Sequence, residues 1–197
     1  MTAGRIGLAA VLAAGLMLAG CSSGTVAGEP VPAPSAGGGS SSTAAPSGQP
    51  TLPARPRELR LDGVNPCTLF PEGRRPEFEV NQPPVGPSMN GKMVDCSFSS
   101  QTGGVSIDVD TQRGAAYFLG DTKSSFGVAI AVADFPGVSG YPKAIERSTC
   151  FVEIDVADGQ NLSIQYNDRR RPGPAVLCPI AQKVALVALD ALKAQKK

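Results

Sequence analysis

Alternation of apolar and polar residues marks five strands between residues 94 and 166. The apolar positions recur at every second residue, which places one set of side chains on one face of a sheet. The apolar members are Val94, Cys96 and Phe98; Val105, Ile107 and Val109; Val128, Ile130 and Val132; Cys150, Val152, Ile154 and Val156; and Leu162, Ile164 and Tyr166. The pattern predicts an antiparallel sheet of about five strands, with one face covered and the other in water.

Turn-forming residues separate these strands. Asp158-Gly159 lies between the last two strands, and Asp-Gly is a strong signal for a hairpin. Residues 101–104 form the corresponding turn between the first two strands. Residues 135–137 and 140–142 are interpreted as turns and residues 83–87 as an irregular loop, because each contains Pro and Gly.

The last part of the chain has the period of an amphipathic helix. Ile180, Val184 and Val187 lie on one helical face, and Gln182 and Lys183 lie on the opposite face. We expect this helix to pack on one face of the sheet, which gives an α+β fold. A short helix is also predicted within residues 114–125.

The residues before the first strand predict a capped turn. Pro66 suits the first position of a helix with Asn65 as its cap. Pro71, Gly73 and Pro76 then limit the helix to about one turn.

The N-terminal residues have the three parts of an export signal. Arg5 supplies the positive charge, residues 6–18 are almost entirely apolar, and small residues follow. The apolar run is shorter than the roughly 20 residues that span a bilayer. Leu18-Ala19-Gly20-Cys21 resembles the bacterial lipobox, in which the Cys thiol receives a diacylglycerol and becomes the first residue of the mature chain. Residues 1–20 are therefore predicted to be a lipoprotein signal peptide and Cys21 the lipidation site, with an ordinary secretory signal as the alternative.

Residues 21–58 are rich in Ser, Gly, Ala and Pro and contain few large apolar side chains. Such a segment buries too little surface to offset the entropy lost on ordering, so a disordered tether is predicted. Residues 59–197 have the length and composition of a single globular domain.

Composition excludes several classes of function. The whole chain has 18 basic and 17 acidic residues, a balance that does not favour nucleic acid as a partner. It contains no His, the commonest general base and metal ligand. No catalytic residues are assigned, and neither a metal nor a cofactor is expected. A Ser/Lys hydrolase using Ser97 or Ser99 with Lys92 is not favoured, because the chain has no matching Ser-x-x-Lys helix.

Four cysteines follow Cys21, at positions 67, 96, 150 and 178. An even number of cysteines in an exported chain indicates two disulfides. A zinc site is the less favoured alternative, because these cysteines are far apart in the sequence and zinc sites use close pairs. Four cysteines allow three disulfide connectivities.

Several motifs of the chain resemble the DUF3558 family of actinobacterial lipoproteins, whose function is uncharacterised. The motifs are Asn65-Pro66-Cys67-Thr68-Leu69-Phe70, Asp95-Cys96-Ser97-Phe98, the strand 150–156 that begins with Cys150, and Cys178-Pro179-Ile180-Ala181. Phe98 stands where the family usually has Trp. The resemblance implies an α+β fold and no established activity. At the level of element order, the chain is also similar to Mog1/PsbP-type sandwiches.

The resemblance, together with proximity along the chain, predicts the disulfides Cys67–Cys96 and Cys150–Cys178. Each disulfide would close a loop of about 30 residues, which is worth roughly 3 to 4 kcal/mol in the chain-entropy model.

Three groups of side chains are candidate binding sites, each with a simpler interpretation. Six carboxylates suit a calcium site, but a solvated strand face is the favoured interpretation. Residues 169–171, all Arg, suit an acidic ligand, but a solvated loop is favoured. Five aromatic residues suit a groove between the sheet and the short helix, but core packing is favoured. The carboxylates are Asp108, Asp110, Asp121, Glu153, Asp155 and Asp158, and the aromatic residues are Tyr117, Phe118, Phe126, Phe135 and Tyr141.

The sequence therefore favours a cell-envelope lipoprotein at the extracytoplasmic face of the cell membrane, with a non-enzymatic binding or accessory domain. Its expected partners are the membrane, through the lipid anchor, and an envelope protein, a wall component or a small ligand; the ligand-binding residues stay unknown. One alternative is a carboxylate-dependent envelope enzyme of the glycan hydrolase type, which needs two carboxylates facing one cleft about 5 to 10 Å apart. Another is a structural subunit of an envelope complex.

Overall fold

The computed structural model describes residues 51–91 and 93–196, all of which belong to one structural unit. The signal peptide predicted for residues 1–20, the lipidation site Cys21 and residues 21–50 of the predicted tether lie outside the described residues.

One antiparallel sheet of eight strands organises the domain, so the fold is α+β as predicted but with more strands than the sequence indicated. The strand order is β1-β2-β3-β8-β7-β6-β5-β4. The strands are β1 (Val85–Asn90), β2 (Met93–Ser99), β3 (Gly103–Asp110), β4 (Gly120–Asp121), β5 (Ser125–Val132), β6 (Phe135–Pro142), β7 (Thr149–Ala157) and β8 (Gln160–Asp168).

The chain crosses the sheet once. Strands β1 to β3 form one side, and the chain then passes to β4 at the opposite edge and returns strand by strand to β8, beside β3. Residues 111–119, the crossover segment, begin this passage and contain a short 3₁₀ helix, Ala115–Phe118. This is the only helical turn that the structure forms within the described residues 114–125, where a short helix was predicted.

Helix α1 (Pro174–Gln195) covers the apolar face of the sheet. Its buried side chains join the apolar positions of β7 and β8 in the main core. By length and composition α1 could also cross a membrane, with a mean hydropathy of 1.7 over its most apolar window. A core helix of a folded domain meets the same criterion, and α1 packs on the sheet.

The segment before β1 covers the rest of the apolar face. Asn65 caps a 3₁₀ helix (Pro66–Thr68), because its side-chain oxygen accepts a hydrogen bond from the Cys67 amide. A second 3₁₀ helix, Glu72–Phe78, continues past Gly73 and includes Pro76, so the helical structure here is longer than the predicted single turn. Phe70 packs edge-on against Phe98 of β2, with ring centroids 5.1 Å apart.

Two disulfides tie these layers to the sheet. Two pairs of sulfur atoms lie at bonding distance, those of Cys67 and Cys96 and those of Cys150 and Cys178. These are the pairs expected from the resemblance. The first disulfide joins the N-terminal segment to β2, and the second joins α1 to β7.

Three strands were not predicted, and two predicted turns are wrong. Residues 135–142 form β6, which pairs with both β5 and β7, although they contain two Pro and two Gly. Residues 85–87 belong to edge strand β1 rather than to a loop. Glycine is required in β6, because a Cβ at Gly140 would overlap the Phe126 carbonyl oxygen and approach the Phe151 ring to 2.8 Å.

The second face of the sheet was predicted to be solvated, and this is also wrong at its centre. Asp108, Glu153 and Ser163 point away from the apolar core by their strand phase, yet each is less than 7% exposed. The crossover segment packs on this face against β7 and β8, beside Glu153. Polar side chains are therefore buried between the sheet and this segment.

Residues 51–58, which the composition assigns to the tether, already contact the domain. The Arg55 side chain is 18% exposed, and its guanidinium donates to Asp155 at 2.7 Å and also pairs with Asp158. The Leu59 amide donates to the Val156 carbonyl oxygen at 2.7 Å. These contacts hold Arg55 and Leu59 against the β7–β8 hairpin.

Candidate functional site

A row of polar side chains crosses the centre of the buried polar face. Asp108 of β3 is paired with Ser163 of β8, and Ser163 is paired with Glu153 of β7. Residues paired directly across neighbouring strands lie on the same face of a sheet. The strand register therefore places two carboxyl groups on either side of one serine.

Glu153 is the most unusual member of this row. Its side chain is 3% exposed, and its Oε1 accepts a hydrogen bond of 3.0 Å from the Ser163 hydroxyl. Its Oε2 is buried and has no hydrogen-bond partner within the described part of the chain. A buried polar atom without a partner costs roughly 1 to 3 kcal/mol. Such atoms are rare enough in folded proteins to require an explanation.

Burial is the main cause that raises the pKa of the Glu153 carboxyl group to about 8. The negative charges of Asp108 and Asp110 act in the same direction, and the Ser163 hydrogen bond and the charge of Arg113 oppose them. Glu153 is thus mostly protonated at neutral pH. Because Oε1 accepts from Ser163, the proton is on Oε2, which becomes a hydrogen-bond donor.

Asp108 has a partner inside its own strand. The Ser106 hydroxyl donates to its Oδ1 at 2.8 Å. Burial raises the pKa of Asp108 to about 6, despite this hydrogen bond, and the charges of Asp95 and Asp110 act in the same direction. Asp108 is therefore mostly ionised at neutral pH, whereas Glu153 is mostly neutral.

Asp110 and Asn161 form hydrogen bonds between the polar face and the crossover segment. Asp110 Oδ2 accepts from Arg113 Nε at 3.0 Å, and its Oδ1 accepts from the Gln112 amide at 2.8 Å. The Asn161 side-chain amide donates to the Arg113 carbonyl oxygen at 3.0 Å. The position of Arg113 is thus set by both its side chain and its backbone.

A cavity of about 500 Å³ opens between the polar face, the crossover segment and the ends of β5 and β6. We call it the Glu153 cavity. Glu153, Phe151 and Gln165 contribute from the sheet, and Arg113, Tyr117 and Phe118 contribute from the crossover segment. Among the described residues, Glu153 is the only carboxyl group in its wall. Its volume is within the range of about 300 to 1,000 Å³ that is typical of small-molecule sites.

Aromatic rings form one side of this cavity. The Tyr117 and Phe118 rings meet edge to face with centroids 5.2 Å apart, and Phe118 lies 5.8 Å from Phe151. The Arg113 guanidinium lies over both crossover rings, 5.3 Å from the Tyr117 centroid and 5.6 Å from that of Phe118. Gly127 leaves room for the crossover backbone, because a Cβ there would overlap the Phe118 carbonyl oxygen.

The six carboxylates considered for calcium do not meet. Asp155 and Asp158 pair with Arg55, Asp110 pairs with Arg113, and Asp121 pairs with Lys143. Over residues 51–91 and 93–196, no three or more acidic or Cys side chains are grouped closely enough to hold a metal ion. Their favoured interpretation as a solvated face is nevertheless wrong for Asp108, Asp110 and Glu153, which are buried.

The three consecutive arginines form no common anion site. Arg170 pairs with Asp168 at 2.7 Å and with Glu79 at 3.2 Å, and Arg169 donates to the Gln101 carbonyl oxygen. These contacts attach the end of β8 to neighbouring segments.

The five aromatic residues divide among three environments. Tyr117 and Phe118 line the Glu153 cavity, as the groove hypothesis requires. Phe126 instead packs on Tyr141 with ring centroids 5.4 Å apart, and Phe135 is fully buried in the main core.

The sequence analysis did not single out Arg113, Phe151, Ser163 or Gln165. One feature of the sequence could have indicated that the second face of the sheet is covered. Phe151 occupies the polar phase of β7, next but one to Glu153, and a large aromatic side chain at such a position indicates that the second face is covered.

The fold and this cavity together define a small disulfide-linked α+β domain with a polar, aromatic-walled cavity on the face of its sheet opposite the helix. The chain belongs to the DUF3558 family, described as a protein of unknown function, which it matches over residues 16–190. No curated protein and no solved structure matches the chain.

Proposed function

We propose that this protein is a cell-envelope lipoprotein, anchored at the extracytoplasmic face of the membrane through Cys21, whose domain binds a small ligand in the Glu153 cavity without chemically changing it. The observation that carries the binding role is Glu153, a buried residue of the cavity wall whose Oε2 has no partner within the described residues.

The cellular location is supported by two independent features of the chain. Leu18-Ala19-Gly20-Cys21 follows a short apolar run, as in lipobox sequences. The domain contains two cysteine pairs at bonding distance, and disulfides persist mainly in oxidising compartments outside the cytoplasm. A diacylglyceryl group on Cys21 would supply two acyl chains, which is what stable anchoring requires.

The binding role is supported by the unpartnered carboxyl oxygen of Glu153. Glu153 is neutral and buried at neutral pH and one of its oxygens lacks a partner, so a ligand that bonds to Oε2 would satisfy it. The cavity also combines aromatic walls with a few polar groups, the composition typical of ligand sites.

The alternative of a glycan hydrolase receives less support. That chemistry needs two carboxyl groups facing the same cleft. Glu153 is the only carboxyl group in the wall of its cavity among the described residues, and Asp108 lies beyond the intervening strand β8.

Two finer assignments belong to the same proposal. An actinobacterial origin rests on the resemblance of the motifs, and the Mog1/PsbP-like arrangement rests on the order of strands followed by a C-terminal helix. Superposition of an experimental structure on a Mog1/PsbP-type domain would test the second, and a different strand order would contradict it.

Membrane fractionation of the Cys21→Ala variant tests the anchor. The wild-type protein should sediment with membranes, and the variant should not. Cys67→Ala is the matched control, because it also removes one cysteine but leaves the anchor in place. If processed Cys21→Ala stays with the membrane, the lipid anchor is contradicted.

A further inference from the structure

The walls of the Glu153 cavity restrict the charge of its ligand. Arg113 and Glu153 are the only ionisable wall residues with a basic or acidic side chain among the described residues. Arg113 is already paired with Asp110 at 2.9 Å, and its guanidinium lies over the Tyr117 and Phe118 rings. One face of each of these rings therefore already carries a cation of the protein.

A cationic ligand is disfavoured for that reason, since it would bring two positive charges to the same rings. An anionic ligand is disfavoured by the other side of the cavity. Asp110 lies behind Arg113 and neutralises it, and Asp108 stands on the same face of the sheet, two strands from Glu153. A neutral ligand avoids both repulsions.

The remaining wall residues can bond to a neutral polar ligand. Ser124, Ser125 and Gln165 supply hydroxyl and amide groups, each able both to donate and to accept. Glu153 adds an acid group whose Oε1 is used by Ser163 and whose Oε2 is not used. Tyr117 is 66% exposed, so its ring offers a flat apolar surface beside these groups.

We infer that the Glu153 cavity binds a neutral, polyhydroxylated ligand of the glycoside class, with Glu153 Oε2 bonded to a ligand oxygen and Tyr117 packed against the sugar ring. A sugar ring carries hydroxyls around its edge and C–H groups on its faces, which matches polar groups beside an exposed aromatic ring. This inference rests on the proposed binding role of the cavity and adds the chemical class of the ligand.

Saturation-transfer NMR with probes that differ mainly in charge tests this inference. The full-length chain in detergent is titrated with neutral methyl glycosides of glucose, mannose, galactose and arabinose. Glucosamine serves as the cationic probe and glucuronate as the anionic one. We expect at least one neutral glycoside to bind more tightly than both charged probes.

Variants connect the binding to the named side chains. Tyr117→Ala should weaken the Kd of the bound glycoside roughly tenfold, the effect of removing about 1.4 kcal/mol of aromatic contact. Met89→Ala is the matched control, because Met89 is 76% exposed on edge strand β1 and is not in the cavity wall. It should leave the Kd unchanged.

A pH titration tests the role of Glu153 separately. The wild-type Kd should weaken about tenfold between pH 7 and pH 9, because only about a tenth of Glu153 remains protonated one unit above a pKa of about 8. Glu153→Gln keeps a neutral group that donates and accepts, so it should bind at pH 7 and lose this pH dependence.

Three results would overturn the inference: no neutral glycoside binds, a charged probe binds more tightly, or Tyr117→Ala binds as the wild type does. These results are independent of membrane attachment, which the Cys21→Ala fractionation measures. Because Tyr117 is largely exposed, its replacement should leave the domain folded, which circular dichroism would verify.

Discussion

Replacing Glu153 by Gln should stabilise the domain increasingly as the pH rises. Glu153 is 3% exposed, and burial is the main cause of its raised pKa. In the unfolded chain the carboxyl group is in water and ionises near its ordinary value of 4.5. Gln has nearly the same shape and no ionisation, so it removes the proton linkage with little change in packing.

The direction in which stability changes with pH follows from the number of protons that the folded and unfolded states bind. With a folded pKa of about 8 and an unfolded value of 4.5, the folded state holds more protons than the unfolded state between these pH values. The contribution of Glu153 to stability is therefore fully present below about pH 4.5 and is lost as the pH rises to about 8. Each pH unit within this window is worth at most about 1.4 kcal/mol, so the loss is at most roughly 3 kcal/mol at pH 7.

Urea unfolding of both proteins at pH 5, 6, 7 and 8 measures this difference. The Cys21→Ala background removes the proposed lipid, and no reductant is added. We subtract the free energy of unfolding of the protein with Glu153 from that of the Glu153→Gln variant. This difference should grow by about 3 kcal/mol at most from pH 5 to pH 7.

Glu77→Gln is the matched control, because Glu77 is half exposed and its hydrogen bonds with Arg74 lower its pKa. It should show no gain that grows with pH. A difference for Glu153→Gln that is constant with pH, or that falls as the pH rises, would refute the assignment of Glu153 as a buried neutral acid.

Three further predictions concern the frame of the site. Gly140→Ala should lower the free energy of unfolding by about 2 to 3 kcal/mol through overpacking in the same urea assay. In the control Gly73→Ala a Cβ meets nothing within 4 Å, so the change should be less than about 0.5 kcal/mol. Equal effects of the two substitutions would contradict the close packing of β5 and β6. Replacing both Cys150 and Cys178 by Ala should cost roughly 3 to 4 kcal/mol in thermal or urea unfolding, since this disulfide closes a loop with a sequence separation of 28, and an unchanged stability would contradict the pairing. Hydrogen bonds from Arg170 lower the pKa of Asp168, so the stability that Asp168 contributes is present above pH 3.8 and is lost as the pH falls through its folded pKa. Asp168→Asn should therefore lose less thermal stability than the wild type between pH 5 and pH 2. A larger loss in the variant would contradict the pairing of Asp168 with Arg170.

The strands with strict alternation were predictable because their pattern is local. Asp158-Gly159 and the flanking alternation identify the β7–β8 hairpin, and the helical period after Pro174 identifies α1. Strand β6 was missed because its Pro and Gly residues are typical of turns. Its glycines are needed for close contacts with β5 and Phe151, and these contacts are set by the packing of the strands and not by the residue types of β6 itself.

The candidate site was only partly predictable for the same reason. Asp108 and Glu153 were recognised as carboxylates on one strand face. The burial of Glu153 depends on the crossover segment, whose path over the sheet follows from the strand order and not from any local pattern. The unpartnered Oε2 and the contact of Arg113 with two aromatic rings are likewise consequences of the tertiary structure.

Mass spectrometry of the native protein, digested without reduction, tests the central claim of a lipid-anchored, disulfide-linked envelope domain. The account predicts an N-terminal peptide that begins at Cys21 and carries a diacylglyceryl group, together with peptides linked through Cys67–Cys96 and Cys150–Cys178. A product that retains residues 1–20 with an unmodified Cys21, or free thiols at the other four cysteines, would contradict it.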